Sequence, residues 1–331
     1  MGSYRLILAV MVALSHMNIL VFGRNQGSIA VISFYLLSGF VMTGLVQRYY
    51  LEPRLVPLFY LDRLARLYPQ FFLYMTLAVV MLFLYPSPPP LPSELTPWEI
   101  AKSYLLFPLD FYMYGGAHPK ILPPVWTLGL EACFYLVIPF ILIYKWRNSL
   151  FYLSAFIFIL AFAKVIPTDT FTYRLLPGTL FIFLCGSLMF DQRKKTAMPP
   201  LVVKTCWAAA VFLVIAIAVP PVRIAENREV PIGLLLGIPL VWWLRTPILT
   251  WWDELAGNLS YGLFLNHYIL IRLARTLFGV KTFHFVDIVA VLAAALVLAT
   301  ITFYGVERPF LLWRHRQRRS LAPASSPQSL P

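Results

Sequence analysis

Ten apolar stretches, at about 5–23, 28–46, 67–85, 126–144, 149–166, 174–190, 202–219, 230–244, 258–278 and 285–305, constrain this chain before any single residue does. Each is close to the length of a helix that crosses the hydrocarbon core of a bilayer. The chain is 60% hydrophobic and 12% charged, against about 25% charged in a soluble domain. The expected fold is therefore an all-α polytopic membrane protein, a bundle of about ten transmembrane helices. An even number of spans puts both termini on one side. Seventeen Lys and Arg residues fall on that side and eight on the other, which predicts cytoplasmic termini. The same bias accounts for the net charge of +13, so the basic balance does not point to nucleic acid. The spans occupy residues 1–313, and the basic, then Pro- and Ser-rich residues 314–331 are expected to form a disordered cytoplasmic tail. No cleavable leader is expected, because Phe22-Gly23-Arg24 is not a small-residue cleavage site.

Chemistry in such a chain is read from polar residues that the apolar spans retain. The first span begins at Arg5 and reaches Ser15-His16. Eleven residues of helix put the two cationic side chains on one face, about 16 Å apart. Arginine at a helix end snorkels to the interface, whereas a histidine inside a span faces protein or water and is a functional candidate by default. A structural hydrogen bond between helices is the other reading of His16. In the fourth span Glu131 lies about a turn and a half inside the outer end, where a carboxylate must be paired, protonated or beside water. His16 is also in the outer half of its span, so the two are expected to meet at similar depth.

Between the second and third spans, Leu58, Leu61, Leu64, Ala65 and Tyr68 form an apolar stripe, and Asp62, Arg63 and Arg66 a polar face. This predicts a short amphipathic helix on the cytoplasmic interface, ended by Pro69. Arg63 and Arg66, at i and i+3, are placed to converge on one phosphate-like anion, or to act as topological anchors. The second span carries Ser38, Gly39, Thr43 and Gly44, which permit close helix approach. The ninth is unusually polar at Asn258, Ser260, Tyr261, Asn266 and His267, a face that belongs in the bundle interior. His267 reads either as a site residue or as a helix-locking hydrogen bonder, and Glu307 and Arg308 as a local surface pair. The longest loop, 86–125, is Pro-rich and then aromatic, suited to a lid or an acceptor platform. Cys133, Cys185 and Cys206 all lie in or beside apolar spans, with no metal spacing, so neither a disulfide framework nor a zinc site is expected. There is no P-loop, no GxGxxG and no visible repeat.

Six of these stretches together resemble the acyltransferase-3 family of integral membrane acyltransferases. They are Arg5 to His16 (Arg, ten residues, His), Phe34 to Phe40, Arg63-Leu-Ala-Arg66-Leu-Tyr-Pro69, Trp126-Thr-Leu-Gly-Leu-Glu131, Ser260-Tyr261 to His267, and Glu307-Arg308-Pro309. Thr127 stands where the family usually has Ser. The resemblance implies transfer of an acyl group, commonly acetyl from cytoplasmic acetyl-CoA, to a hydroxyl of an envelope, O-antigen-like or exported polysaccharide in the bacterial inner membrane. It implies His16 and Glu131 as catalytic residues, with Glu131 orienting the imidazole. Arg5, Arg63 and Arg66 hold the donor, and Ser38, Trp126, Tyr261 and His267 are further site residues. No metal is implied. Polysaccharide synthesis or export proteins are the expected partners. A proton-coupled transporter or flippase for a lipid-linked glycan or acyl compound is the alternative, with His16 and Glu131 carrying protons.

Overall fold

The computed structural model describes residues 1–85, 95–114, 121–246 and 250–321. Among these residues every regular element is helical, apart from a lone bridge between Val21 and Arg24. In chain order the α-helices are α1 (Gly2–His16), α2 (Gln26–Tyr49), α3 (Val56–Leu84), the short α4 (Pro97–Ser103) and α5 (Leu106–Asp110), and α6 (Trp126–Ile143). They continue as α7 (Arg147–Phe162), α8 (Leu176–Asp191), α9 (Pro200–Ala218), α10 (Ala225–Trp243), α11 (Trp251–Leu277), α12 (Phe285–Thr302) and α13 (Arg308–Leu321). The ten helices of at least 15 residues each overlie one of the ten expected stretches. Six segments are long and apolar enough to cross a membrane: Gln26–Tyr49, Pro53–Leu84, Pro123–Ile143, Thr170–Asp191, Pro200–Ala218 and Phe285–Arg314. Helices α1 and α7 are apolar but shorter, and α10 and α11 carry charged residues in their end turns, Glu226 and Arg228 in one and Asp253, Glu254 and Arg275 in the other. The chain is a helical membrane protein.

Helix α2 is the axis of the bundle, packed on α1, α6, α8 and α10. It starts at Asn25, whose side chain accepts from the Gly27 and Ser28 backbone N–H groups at 2.9 and 3.2 Å and satisfies donors the first turn leaves open. Its crossing with α8 is made by two glycines. A Cβ on Gly39 would strike the Phe183 carbonyl, and one on Gly186 the Leu36 carbonyl. With hydrogens there, the backbones touch and Phe183 stacks between Phe134 and Tyr35 at 4.3 and 4.7 Å between ring centroids. Helix α1 lies parallel to α11, so that its first turn meets Asp253 and its last turn meets His267. Asp253 accepts from the Gly2 and Ser3 backbone N–H groups at 3.0 and 2.9 Å, capping α1 from a neighbouring helix.

Two expectations change here. Pro69 does not end a surface helix. α3 runs unbroken from Val56 to Leu84 through it, merging the amphipathic segment with the third span. A proline inside a buried helix is tolerated where neighbours support the loosened turn. Here the Tyr261 hydroxyl of α11 donates to the Leu67 carbonyl at 2.8 Å. Leu58, Leu61 and Leu64 face outward from the bundle, and Asp62 and Arg63 are buried inside it. The polar face thus turns toward protein and the apolar stripe toward the bilayer. The second change concerns the tail: α13 carries helix through Leu321, past the expected boundary at 313, and returns Arg314 to the bundle interior. Of the long loop, residues 86–94 and 115–120 lie outside the described residues, as do 322–331 of the tail.

Candidate functional site

The helices enclose a cavity of about 280 Å³ whose wall is contributed by α1, α2, α3, α6, α8, α11 and α13. Its polar lining is Arg5, Ser38, Arg63, Arg66, Thr127, Glu131, Tyr135, Ser260, Tyr261 and Arg314, and the remainder is apolar. Four guanidinium groups from three separate helices therefore face one volume. They arrive there for local reasons. Arg5 sits in the first turn of α1, held in place by the Asp253 cap. Arg63 and Arg66 are on the inward face of α3. Arg314 is brought back by α13, which a five-residue π-helix at Phe303–Glu307 joins to α12.

Buried guanidinium groups need anions, and two carboxylates pair with three of the four. Asp62 pairs with Arg63 and also accepts from Arg314 Nε at 3.2 Å, so one carboxylate serves two cations. Glu307, 3% exposed, pairs with Arg66 rather than with its neighbour Arg308. The chain arrangement explains this: the π-helix turns Glu307 inward while Arg308 stays exposed. Arg66 also lies over the Tyr261 ring, 5.0 Å from its centroid, and Arg63 over Tyr135 at 5.9 Å. Arg5 makes no ion pair among the described residues. Glu131 accepts from the Ser38 hydroxyl at 2.9 Å and from the Tyr135 hydroxyl at 2.5 Å.

At the far end of the cavity stand Phe34 and Phe264, edge to face at 6.0 Å. Beyond Phe264, one helical turn along α11, is His267, with ring centroids 6.2 Å apart. His267 is fully buried and stacks on His16 at 5.3 Å with the rings 21° from parallel. Tyr268 meets the His16 ring edge-on at 5.6 Å. Nδ1 of His267 lies 3.1 Å from the Leu263 carbonyl, an acceptor only, so in the neutral ring the proton is on Nδ1 and Nε2 carries the lone pair. Nε2 of His267 and Nε2 of His16 are both buried with no hydrogen-bond partner among the described residues.

The structure thus brings Arg5, Ser38, Arg63, Arg66, Glu131 and Tyr261 together around one cavity and places His16 with His267 next to it. It does not join His16 to Glu131 as expected. Helix α1 stops at His16, which puts the imidazole at the very end of its helix beside His267, whereas Glu131 lies in the second turn of α6 and lines the cavity with Phe264. Trp126 lies outside the cavity lining, packed at 5.2 Å on Tyr173 and under the Arg174 guanidinium at 4.9 Å, which is itself bonded to Asp169 at 2.6 Å. Four participants escaped the sequence reading. Tyr135 is one turn after Glu131, and Asp62 adjoins Arg63, so helical spacing contained both signals. Phe264 looked like core, and Arg314 looked like the start of a charge run. Among the described residues no cluster of three His, Cys, Asp or Glu side chains is placed to hold a metal ion.

A sequence profile described as an acyltransferase domain, of the acyltransferase-3 family, matches residues 4–304. The chain belongs to the acyltransferase-3 family. It is also 37% identical over 153 residues to a protein of Aquifex aeolicus (strain VF5) that carries only the description "Uncharacterized protein", a match covering 45% of this chain and 69% of the relative. No solved structure matches it. The acyltransferase-3 match takes in the cavity helices α1, α2, α3, α6, α8 and α11 and the His16–His267 pair, and ends at residue 304, before Glu307 and Arg314.

Proposed function

We propose that this protein is a membrane O-acyltransferase that moves an acyl group, acetyl in the simplest case, from a cytoplasmic acyl-CoA to a hydroxyl of an envelope or exported polysaccharide. In this reading the ten long helices cross the bacterial inner membrane and both termini are cytoplasmic, in line with the Lys and Arg bias. The observation that carries it is the cavity itself: guanidinium groups gather at the end bearing Arg63, Arg66 and Arg314, and the opposite end closes on Phe264, directly before two stacked imidazoles.

The residues present suit such a donor. Coenzyme A carries a pyrophosphate and a 3′-phosphate, and planar guanidinium forks match phosphate oxygens two at a time. A volume of about 280 Å³ suits an acyl thioester arm, leaving the phosphates at the arginine mouth. Transfer forms the ester C–O bond and breaks the thioester C–S bond, and the hydroxyl proton passes to an imidazole and then to the departing thiolate. His16 is the base in this reading, since its Nε2 has no hydrogen-bond partner among the described residues and a neutral imidazole nitrogen can take the proton as the hydroxyl attacks. The companion of His16 is His267, whose bond to Leu263 fixes its ring. Glu131, held by Ser38 and Tyr135, instead balances Arg5 and shapes the cavity polarity near the thioester. Nothing in this scheme uses a metal, and the acceptor reaches the imidazoles from the side opposite the arginines, where synthesis or export proteins would deliver it.

The test is donor consumption. Purified protein in nanodiscs should release thiol from acetyl-CoA only when envelope glycan is added, and Glu131→Gln should lower the rate at least tenfold. If no acetyl-, succinyl- or longer acyl-CoA is consumed, while a pH gradient alone drives movement of a lipid-linked glycan, the proton-coupled carrier replaces this reading.

A further inference from the structure

The basic residues that close the chain form a charge run of the kind that sets topology or rests on anionic lipid. One of them does neither. Arg314 is 6% exposed, lines the cavity, and reaches across from α13 to Asp62 of α3. Arg308 and Arg316, on the same helix, are exposed. Among the described side chains of this helix, Arg314 is the cation turned inward, and it joins Arg63 and Arg66 in the cavity lining. At this end three guanidinium groups share two carboxylates: Asp62 serves both Arg63 and Arg314, and Glu307 serves Arg66. A bundle that buries such an excess of guanidinium groups is complementary to an anion.

We propose that Arg314 is a donor-binding residue, completing with Arg63 and Arg66 a three-guanidinium site for a phosphate group of the acyl donor. The inference rests on the acyl-CoA reading above and adds to it a residue ten positions beyond the end of the acyltransferase-3 match. The chemistry it recognises is a phosphate mono- or diester with oxygens free to accept forked N–H donors. On binding, the phosphate shares Arg314 with Asp62, so the carboxylate holds the guanidinium in its rotamer before the ligand arrives. Lysine in its place keeps the charge and loses the fork.

The experiment uses full-length protein in nanodiscs of zwitterionic lipid, titrated with coenzyme A and with 3′-dephospho-coenzyme A, for wild type, Arg314→Ala, Arg314→Lys and the exposed control Arg316→Ala. Wild type and R316A are expected to bind coenzyme A alike. R314A should bind at least tenfold more weakly and R314K several-fold more weakly, and in turnover the donor KM should rise with kcat within twofold. R314K retains the ion pair with Asp62, so it reports on the fork even if R314A fails to fold. Wild-type affinity in both Arg314 variants overturns the assignment while leaving the donor reading intact. Absence of coenzyme A binding by wild type overturns the donor reading and this inference with it. A phosphate of the bilayer is the other source of the same chemistry. If adding anionic phosphatidylglycerol lowers wild-type coenzyme A affinity to the R314A level, the site belongs to lipid and the donor assignment falls.

Discussion

Replacing Glu307 by alanine should be among the most damaging single changes in this protein. The sequence suggests a local pair with Arg308 at the cytoplasmic surface. The structure buries Glu307 to 3% exposure and gives it Arg66 as partner, a guanidinium that lines the cavity. Removing one partner of a buried ion pair leaves the other charge without its counter-ion, which costs about 3–5 kcal/mol. The π-helix at Phe303–Glu307 joins the last span to α13, so the loss falls on a junction as well as on a pair. At 1.4 kcal/mol per factor of ten, that corresponds to a drop of roughly two to three and a half orders of magnitude in the folded-to-unfolded ratio. The assay is equilibrium unfolding in mixed detergent of wild type, Glu307→Ala, Arg66→Ala, the double variant and Arg308→Ala. The double variant should recover part of the loss, with a coupling of at least about 1 kcal/mol, because it removes the stranded charge. Arg308→Ala should lie within about 0.5 kcal/mol of wild type. Equal stability of Glu307→Ala and Arg308→Ala, or strict additivity in the cycle, would refute the reasoning.

Other outcomes follow from the same structure. Asp110, at the end of α5, is fully buried. Burial pushes its carboxyl up to about 7, opposed by the hydrogen bond it accepts from Cys133 Sγ at 3.5 Å. A raised carboxyl stabilises the fold fully below its unfolded value, and that contribution is lost as pH rises from about 4 through about 7, on the order of 4 kcal/mol in all. Asp110→Asn should flatten this slope in unfolding measured at pH 5.5 and 8.5, and parallel curves for both proteins would count against it. Gly39→Ala places a methyl group on the Phe183 carbonyl, so α2 and α8 must part, at a cost of about 1–3 kcal/mol seen as a lower unfolding midpoint. A midpoint unchanged from wild type would mean the two backbones do not touch.

Much of the fold was legible because lipid leaves a chain few choices. Runs of apolar residues near the length of a membrane crossing become helices, and all ten long helices fall on the stretches that hydropathy marks. Boundaries at polar residues were less legible. Pro69 carries a strong stop signal in water, but in this bundle α11 supports the turn and α3 continues. The site divides in the same way. Helical spacing correctly gathers Arg63, Arg66 and their neighbours on one face, and Glu131 points inward as an intramembrane carboxylate should. Depth is what the sequence conveys poorly. His16 and Glu131 both read as belonging to outer halves of spans, yet His16 stacks on His267 and Glu131 bonds to Ser38 and Tyr135. Arg314 was illegible for another reason: a basic run after the last span looks the same whether it trails into solvent or folds back, and only the path of α13 decides which.

The central claim is that an acyl group crosses from the arginine end of the cavity to the histidine end and is transferred there. Proteoliposomes test it most directly, with radiolabelled acetyl-CoA supplied only on the face bearing the termini and acceptor glycan only on the other. The account predicts label on the glycan for wild type and none above background for His16→Ala, with both proteins equally folded and equally able to bind coenzyme A. Undiminished labelling by His16→Ala, or labelling only when donor and glycan share a face, would contradict it.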